Sequence, residues 1–204
     1  NIENAKGGSN NDLFIGDDFN NIFHGNAGDD LFLFDDRWGN DVFEGNDGTD
    51  TADLATITEP ITWTITTTGF TALSGTNSIA STTHSVERIL SGTRDDYFIY
   101  ENAATLPGAS FIDGGGGINW IDYTLYMTGV AVDLTAGTAT NPLLLANFRH
   151  VYGGSGSDTI TGDNFDNIFR SNGGADHIDG LGGYDRLDFS ADVTGHNVSL
   201  TVLG

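Results

Sequence analysis

Along two stretches of the chain an apolar residue returns every nine positions as the centre of a three-residue run, and a Gly- and Asp-rich segment precedes each run. The central residues are Phe14, Phe23, Phe32 and, after a slip of two, Phe43 in the first stretch, and Ile160, Phe169, Ile178 and Leu187 in the second. A tight turn followed by a three-residue strand with one inward side chain accounts for that pattern. Elsewhere Ile61, Trp63 and Ile65, Val130, Val132 and Leu134, and Val198, Leu200 and Val202 alternate with polar residues, as half-buried strands do. No segment has the 3.6-residue period of an amphipathic helix, and Thr, Gly and β-branched residues dominate, so the expectation is an all-β chain.

The nine-residue units start at Gly7, Gly16 and Gly25, then at Asp36 and Gly45 after an insertion at Phe34-Asp35, and again at Gly153, Gly162, Ser171 and Gly180. Weaker copies occupy 91–99 and 114–122, and neither reads as a metal turn. A longer period aligns Ile2, Val86 and Phe148, which divides the chain into modules 1–85, 86–147 and 148–204 of one continuous rod. Each module ends in a similar way, at Asp53-Leu54, Asp122-Tyr123 and Asp188-Phe189. Segments 54–85 and 123–147 lack the unit and are expected to be broader rungs.

Composition narrows the partners. The chain carries 29 acidic and 7 basic residues, a formal charge of -22, which repels nucleic acid and anionic membranes and attracts cations. A hydrophobic fraction of 38% with 13 Phe supports a packed core rather than a disordered acidic tail. No run is long enough for a membrane span, and no cysteine is present for disulfides or thiolate metal sites. Without an initiating Met or a leader pattern, the sequence reads as part of a longer polypeptide.

The sixth position of each unit supplies the candidate chemistry: Asp12, Asn21, Asp30, Asp41 and Asp50, then Asp158, Asn167, Asp176 and Asp185. Gly at positions one, two and four is expected to permit φ > 0, so that carbonyl oxygens converge, with Asn10 as a tolerant substitute. Carbonyls of Gly8, Asn10, Asn26, Gly28, Gly154, Gly156, Asn172, Gly174 and Gly183 complete the candidate ligand set. A hard cation takes about six to eight oxygens, more than one turn offers, so two stacked turns are needed. If two units form one coil, Asp12 pairs with Asp30, Asp30 with Asp50, Asn21 with Asp41, Asp158 with Asp176, and Asn167 with Asp185. Asp also favours turns without binding anything, but its regular spacing across two arrays selects the ligand reading. Asn21, Asn167 and Asn119 offer a neutral oxygen and should make weaker or vacant sites.

The run Gly-Gly-x-Gly-x-Asp-x-apolar-x, clearest at 153–161, resembles the RTX (repeats-in-toxin, haemolysin-type calcium-binding) repeat, mainly over 7–53 and 153–188. That resemblance implies a right-handed parallel β-roll or β-solenoid. It places several Ca²⁺ ions between stacked turns, on position-six carboxylates and backbone carbonyls, in proteins exported unfolded by type I secretion. The implied protein is secreted or at the cell surface, a calcium-locked structural or adhesive segment whose partners are calcium, copies of itself or cell-surface polysaccharide. The alternative is a non-catalytic appendage of a secreted epimerase, lipase or protease.

No enzyme is expected. His24, His84, His150, His177 and His196 lack zinc spacing and read as exposed solenoid residues, Ser155 belongs to a repeat turn rather than a nucleophile elbow, and seven basic residues are few for a lyase face. The pairs Asp17-Asp18 and Asp95-Asp96 would point to opposite faces if they lay on strands. Trp63 is expected in the core and Trp120 outside, placed to stack on a sugar. Asn197-Val198-Ser199 is a lone glycosylation sequon. Leu13, Ile15, Leu31 and Leu33 project outward as an apolar face, expected to be covered by residues 55–85 or, failing that, by a second copy.

Overall fold

Short strands alternate between two sheets in the computed structural model, which describes residues 3–106, 110–140 and 143–190. The first six are β1 (Asn4–Lys6), β2 (Leu13–Ile15), β3 (Ile22–Ala27), β4 (Leu31–Leu33), β5 (Asn40–Asp47) and β6 (Thr51–Asp53). A meander follows as β7 (Thr62–Ile65), β8 (Phe70–Ser74) and β9 (Asn77–Ser81), then β10 (Arg88–Leu90), β11 (Tyr97–Tyr100), β12 (Phe111–Asp113) and β13 (Trp120–Asp122). A second meander is β14 (Ala131–Asp133), β15 (Thr138–Ala139) and β16 (Leu143–Ala146). The series closes with β17 (His150–Tyr152), β18 (Thr159–Asp163), β19 (Ile168–Arg170), β20 (His177–Leu181) and β21 (Arg186–Asp188). Among the described residues there is no helix, as the period of the apolar residues predicts.

One sheet has the order β1-β3-β5-β9-β8-β7-β11-β13-β17-β19-β21, and the other β2-β4-β6-β10-β12-β16-β15-β14-β18-β20. Strands of successive coils pair in parallel, with Leu13 beside Leu31 and Thr159 beside His177, so two nine-residue units make one coil. Past the insertion the offset becomes twenty, with Ile22 beside Val42 and Leu31 beside Thr51. The extra residues are taken up where Phe34 and Trp38 bury their rings.

The segments expected to be broader rungs are antiparallel meanders set into otherwise parallel sheets. Strands β7, β8 and β9 stand between β5 and β11 in the first sheet; β14, β15 and β16 stand between β12 and β18 in the second. Each meander adds two strands to one sheet, about 10 Å of width at the usual strand spacing. Because they fall on opposite sheets, the imbalance introduced by the first is reversed by the second. The same Asx turn follows Asp53, Asp122 and Asp188: the Ala55, Thr124 and Ser190 amides donate to their carboxylates. Ile2, His196, the sequon at Asn197 and the alternating residues Val198, Leu200 and Val202 lie outside the described residues.

Position eight fills the space between the sheets. Phe14 stacks on Phe32 at 5.0 Å, Phe43 tilts against Phe32 at 4.7 Å, Trp63 stacks on Phe98 at 5.5 Å, and Tyr100 on Tyr123 at 4.8 Å. Burial of each such ring contributes about 1.5–3 kcal/mol, and offset stacking roughly 0.5–1.5 kcal/mol more.

Three expectations fail. Residues 55–85 do not cover the outward apolar face: their strands complete the opposite sheet, and Leu13 and Ile15 remain 58% and 64% exposed. His150 is buried, not exposed, because Trp120 packs edge-on against its ring at 4.7 Å and its Nδ1 accepts the Ile168 amide. Asp17-Asp18 and Asp95-Asp96 lie in turns, not on strands.

Candidate metal centre

The turns on both edges share one geometry. The first carboxylate oxygen of five position-six Asp residues accepts the backbone amide of the position-six residue one coil earlier, and that of Asp158 accepts the Val130 amide. Asp12 N donates to Asp30, Asp30 N to Asp50, Asn21 N to Asp41, Asp158 N to Asp176, and Asn167 N to Asp185, at 2.8–3.0 Å. All five pairs expected from the spacing are thus brought together. The carboxylate replaces the solvent an amide at a turn would otherwise need, and it is drawn into the protein in doing so.

The second oxygen distinguishes the turns. In Asp30, Asp41, Asp50 and Asp158 it is buried and has no hydrogen-bond partner. Burial pushes the Asp41, Asp50 and Asp158 carboxyls up to about 6. An unpaired buried carboxylate oxygen is costly, and a cation would offset that cost.

Position-one glycines face these oxygens. A Cβ on Gly25 would lie 2.1 Å from Asp30 Oδ2 and 2.6 Å from the Gly45 carbonyl, and one on Gly153 would lie 2.1 Å from Asp158 Oδ2. Gly7, Gly162 and Gly180 are equally close to Asp12, Asn167 and Asp185. None of these glycines has a positive φ. Position one therefore needs glycine for close approach of the carboxylate, not for backbone freedom, which corrects the expectation for that position. Positive φ occurs at position two in Asn26 and Asn172 and at position four in Gly28, Gly174 and Gly183, but not in Gly8, Gly154 or Gly156.

The remaining candidates brace the turns. Gly8 N donates to Asp12 Oδ2 at 2.7 Å, and the Asn26 and Asn172 amides donate to the carbonyls of Gly7 and Gly153. Gly28 packs on the Asn10 backbone, Gly174 on Gly156, Gly183 on Phe165, and Gly154 on the Tyr126 carbonyl. Asp12, Asp176 and Asp185 are less enclosed than the other aspartates. Among the described residues no three His, Cys, Asp or Glu side chains converge on one point. An ion here would draw most of its oxygens from carbonyls and one or two from carboxylates, which is hard-cation chemistry.

Other turns satisfy themselves. Asp96 is fully buried, yet its second oxygen accepts the Ser91 hydroxyl at 2.5 Å and Gly92 N at 2.9 Å, while its first accepts Ile61 N. Asn119 accepts Asp96 N and donates its amide to the Gly116 and Asn147 carbonyls, putting a nitrogen where a cation would serve in the other turns. Asn167 similarly donates to the Arg149 carbonyl and to Asp163. The Ser171 hydroxyl caps the second oxygen of Asp176.

Sequence reasoning missed Glu87, which accepts Asp50 N at 2.8 Å, and the position-one serines. The serines were visible as departures from Gly; Glu87 has no signal because it stands outside the nine-residue register.

The RTX calcium-binding nonapeptide repeat family pattern matches residues 6–36, 37–53 and 152–187, in four copies. No curated protein matches the chain.

Proposed function

We propose that this chain, which carries RTX calcium-binding nonapeptide repeats in the matched segments, is an extracellular structural or adhesive segment that folds on calcium after export. Its coils form a right-handed β-roll with calcium between turns. The observation that carries this reading is the set of buried, unpartnered carboxylate oxygens on Asp30, Asp41, Asp50 and Asp158. They occur in turns that also present stacked carbonyls, a donor set suited to Ca²⁺. With a charge of -22, the chain is self-repelling until divalent ions bind, so ion binding and folding are coupled. Among the described residues no helix is long and apolar enough to cross a membrane, and repeats of this type are typical of secreted proteins. The reading assigns the chain no enzymatic role. Far-UV circular dichroism during calcium titration of the chelated chain tests the proposal: β signal should rise with calcium and saturate. A full β spectrum that calcium does not alter would overturn it.

A second reading, as the polysaccharide-binding appendage of a secreted enzyme, is favoured by one row on the outer face of the first sheet. Tyr97 and Trp120 have centroids 6.2 Å apart, Arg170 lies 4.2 Å over Tyr152, and the Tyr97 hydroxyl donates to Asp122. Aromatic faces flanked by acid and guanidinium groups suit sugar rings and hydroxyls. Affinity electrophoresis through neutral and uronate polysaccharides, with Trp120→Ala as control, separates the readings. Retardation lost in Trp120→Ala supports the appendage; no retardation counts against it.

A further inference from the structure

Strand β6 ends the first array, and residues 54–151 lie outside the matched repeats. The coil stacked on it instead enters β10 through residues 85–87, outside the segments that match the repeat family. We propose that Asp50 belongs to a cation site closed from this side by the Ser85 carbonyl and the Glu87 carboxylate, so that the last site of the array locks the chain beyond the meander. This inference rests on the calcium reading given above.

Asp50 is fully buried, and its second oxygen has no partner. A Cβ on Gly45 would lie 2.2 Å from that oxygen and 2.0 Å from the Ser85 carbonyl oxygen. The two oxygens are thus no more than about 4.2 Å apart, close enough for one ion with bonds of about 2.3–2.6 Å to touch both. The same point in the preceding coil, beside Gly25, is flanked by Asp30 and the Gly45 carbonyl. Ser85 therefore replaces a position-one glycine. Glu87 replaces a position-six aspartate, because its Oε2 accepts Asp50 N at 2.8 Å as Asp50 accepts Asp30 N. The regular turn needs five residues to pass from the first role to the second; here two suffice, since the longer Glu side chain spans the difference. Glu44 fixes the approach: its carboxylate accepts Thr82 N and the Thr82 and Thr83 hydroxyls, while Ser85 Oγ accepts Gly45 N at 3.0 Å. Glu44 is a positioning residue, and Asp50 and Glu87 supply the charge.

Calorimetric calcium titration of the whole chain tests the closure, with Asp50→Asn, Glu87→Gln, the double variant, and Asp158→Asn as a distant control. Glu87→Gln should weaken one ion by at least about tenfold, Asp50→Asn should affect that same ion, and the double variant should lose little more than Asp50→Asn alone. Asp158→Asn should remove a different ion, additively. If Glu87→Gln does not fold in calcium, Glu87→Asp, which shortens the reach and keeps the charge, should weaken the same ion. Unchanged calcium binding in a folded Glu87 variant, with an ion lost in Asp50→Asn, would overturn the closure alone. A wild-type chain that takes up no calcium would overturn the calcium reading and the closure with it.

Discussion

The turn from Gly25 to Asp30 and the turn from Ser91 to Asp96 have the same length, lead into the same kind of strand and end in a buried aspartate whose first oxygen accepts an amide of the previous coil. They differ at position one. Glycine leaves the second oxygen of Asp30 unpartnered, whereas Ser91 and Gly92 N satisfy that of Asp96. In this pair of turns the position-one hydroxyl, together with the Gly92 amide, supplies the donors that the Asp30 turn lacks. Asn119 and Asn167 reach the same outcome as Asp96 from the other end, by carrying the donor on the position-six residue. The turns at Asp96 and Asn119 thus keep the coil geometry without an unpartnered carboxylate oxygen.

The largest effects should come from what the two regions share. Phe32→Ala and Phe98→Ala should each cost about 3–5 kcal/mol in calcium-loaded protein, because both rings are fully buried in one continuous core. Denaturant unfolding that put only one of them in that range would break the common-core half of the comparison.

Next in size, Asp158→Ala and Asp96→Ala should part company. The first should abolish one bound ion; the second should leave the calcium count unchanged yet lower stability by about 1.5–3 kcal/mol, the worth of a charge-assisted hydrogen bond. Within the second array, Asp158 and Asp176 should prove coupled in a double-mutant cycle read by calcium affinity, while Asp185 should be independent of both. Coupling of Asp158 to Asp185 would contradict two units per coil.

A smaller effect follows from protonation. Burial raises the Asp41, Asp50 and Asp158 carboxyls to about 6 in the calcium-free protein, above the usual unfolded value of about 3.9. Such groups contribute stability that is full below the unfolded value and lost as pH rises through about 6. The chelated chain should therefore recover more β signal at pH 5 than at pH 7, and calcium should bind more weakly at the lower pH. Calcium affinity unaffected between these values would contradict the enclosed carboxylates.

Much of this was legible in the residues. The return of Phe14, Phe23 and Phe32 gave the strands and the core, and the spacing of Asp12, Asp30 and Asp50 gave the coil. The meanders were not legible as such: Ile61, Trp63 and Ile65 announce a strand, but nothing local says that the next two strands turn back antiparallel beside it. The exposed Leu13 and Ile15 were misjudged for the same reason, since the partner of 55–85 is set by sheet pairing rather than by apolar area. Ser91 and Ser171 were plain departures from glycine, but the meaning of a hydroxyl there depends on the carboxylate five residues later folding back onto it. Glu87 was hidden because a longer side chain replaced three residues of turn.

The smallest change should sharpen the comparison most finely. Ser91→Gly removes the hydroxyl from Asp96 and from the Trp63 indole and should cost about 1–3 kcal/mol, but it should make the central turn respond to calcium, measured as a gain in its thermal stabilisation by the ion.

Amide hydrogen exchange of the whole chain, with and without chelator, tests the central claim most directly. On chelation, β2, β4, β6 and β18 should lose protection first and most, while β11, β13 and β17, beside the self-satisfied turns of Asp96 and Asn119, should keep theirs longest. Equal loss in both regions, or earlier loss in the central strands, would contradict the account.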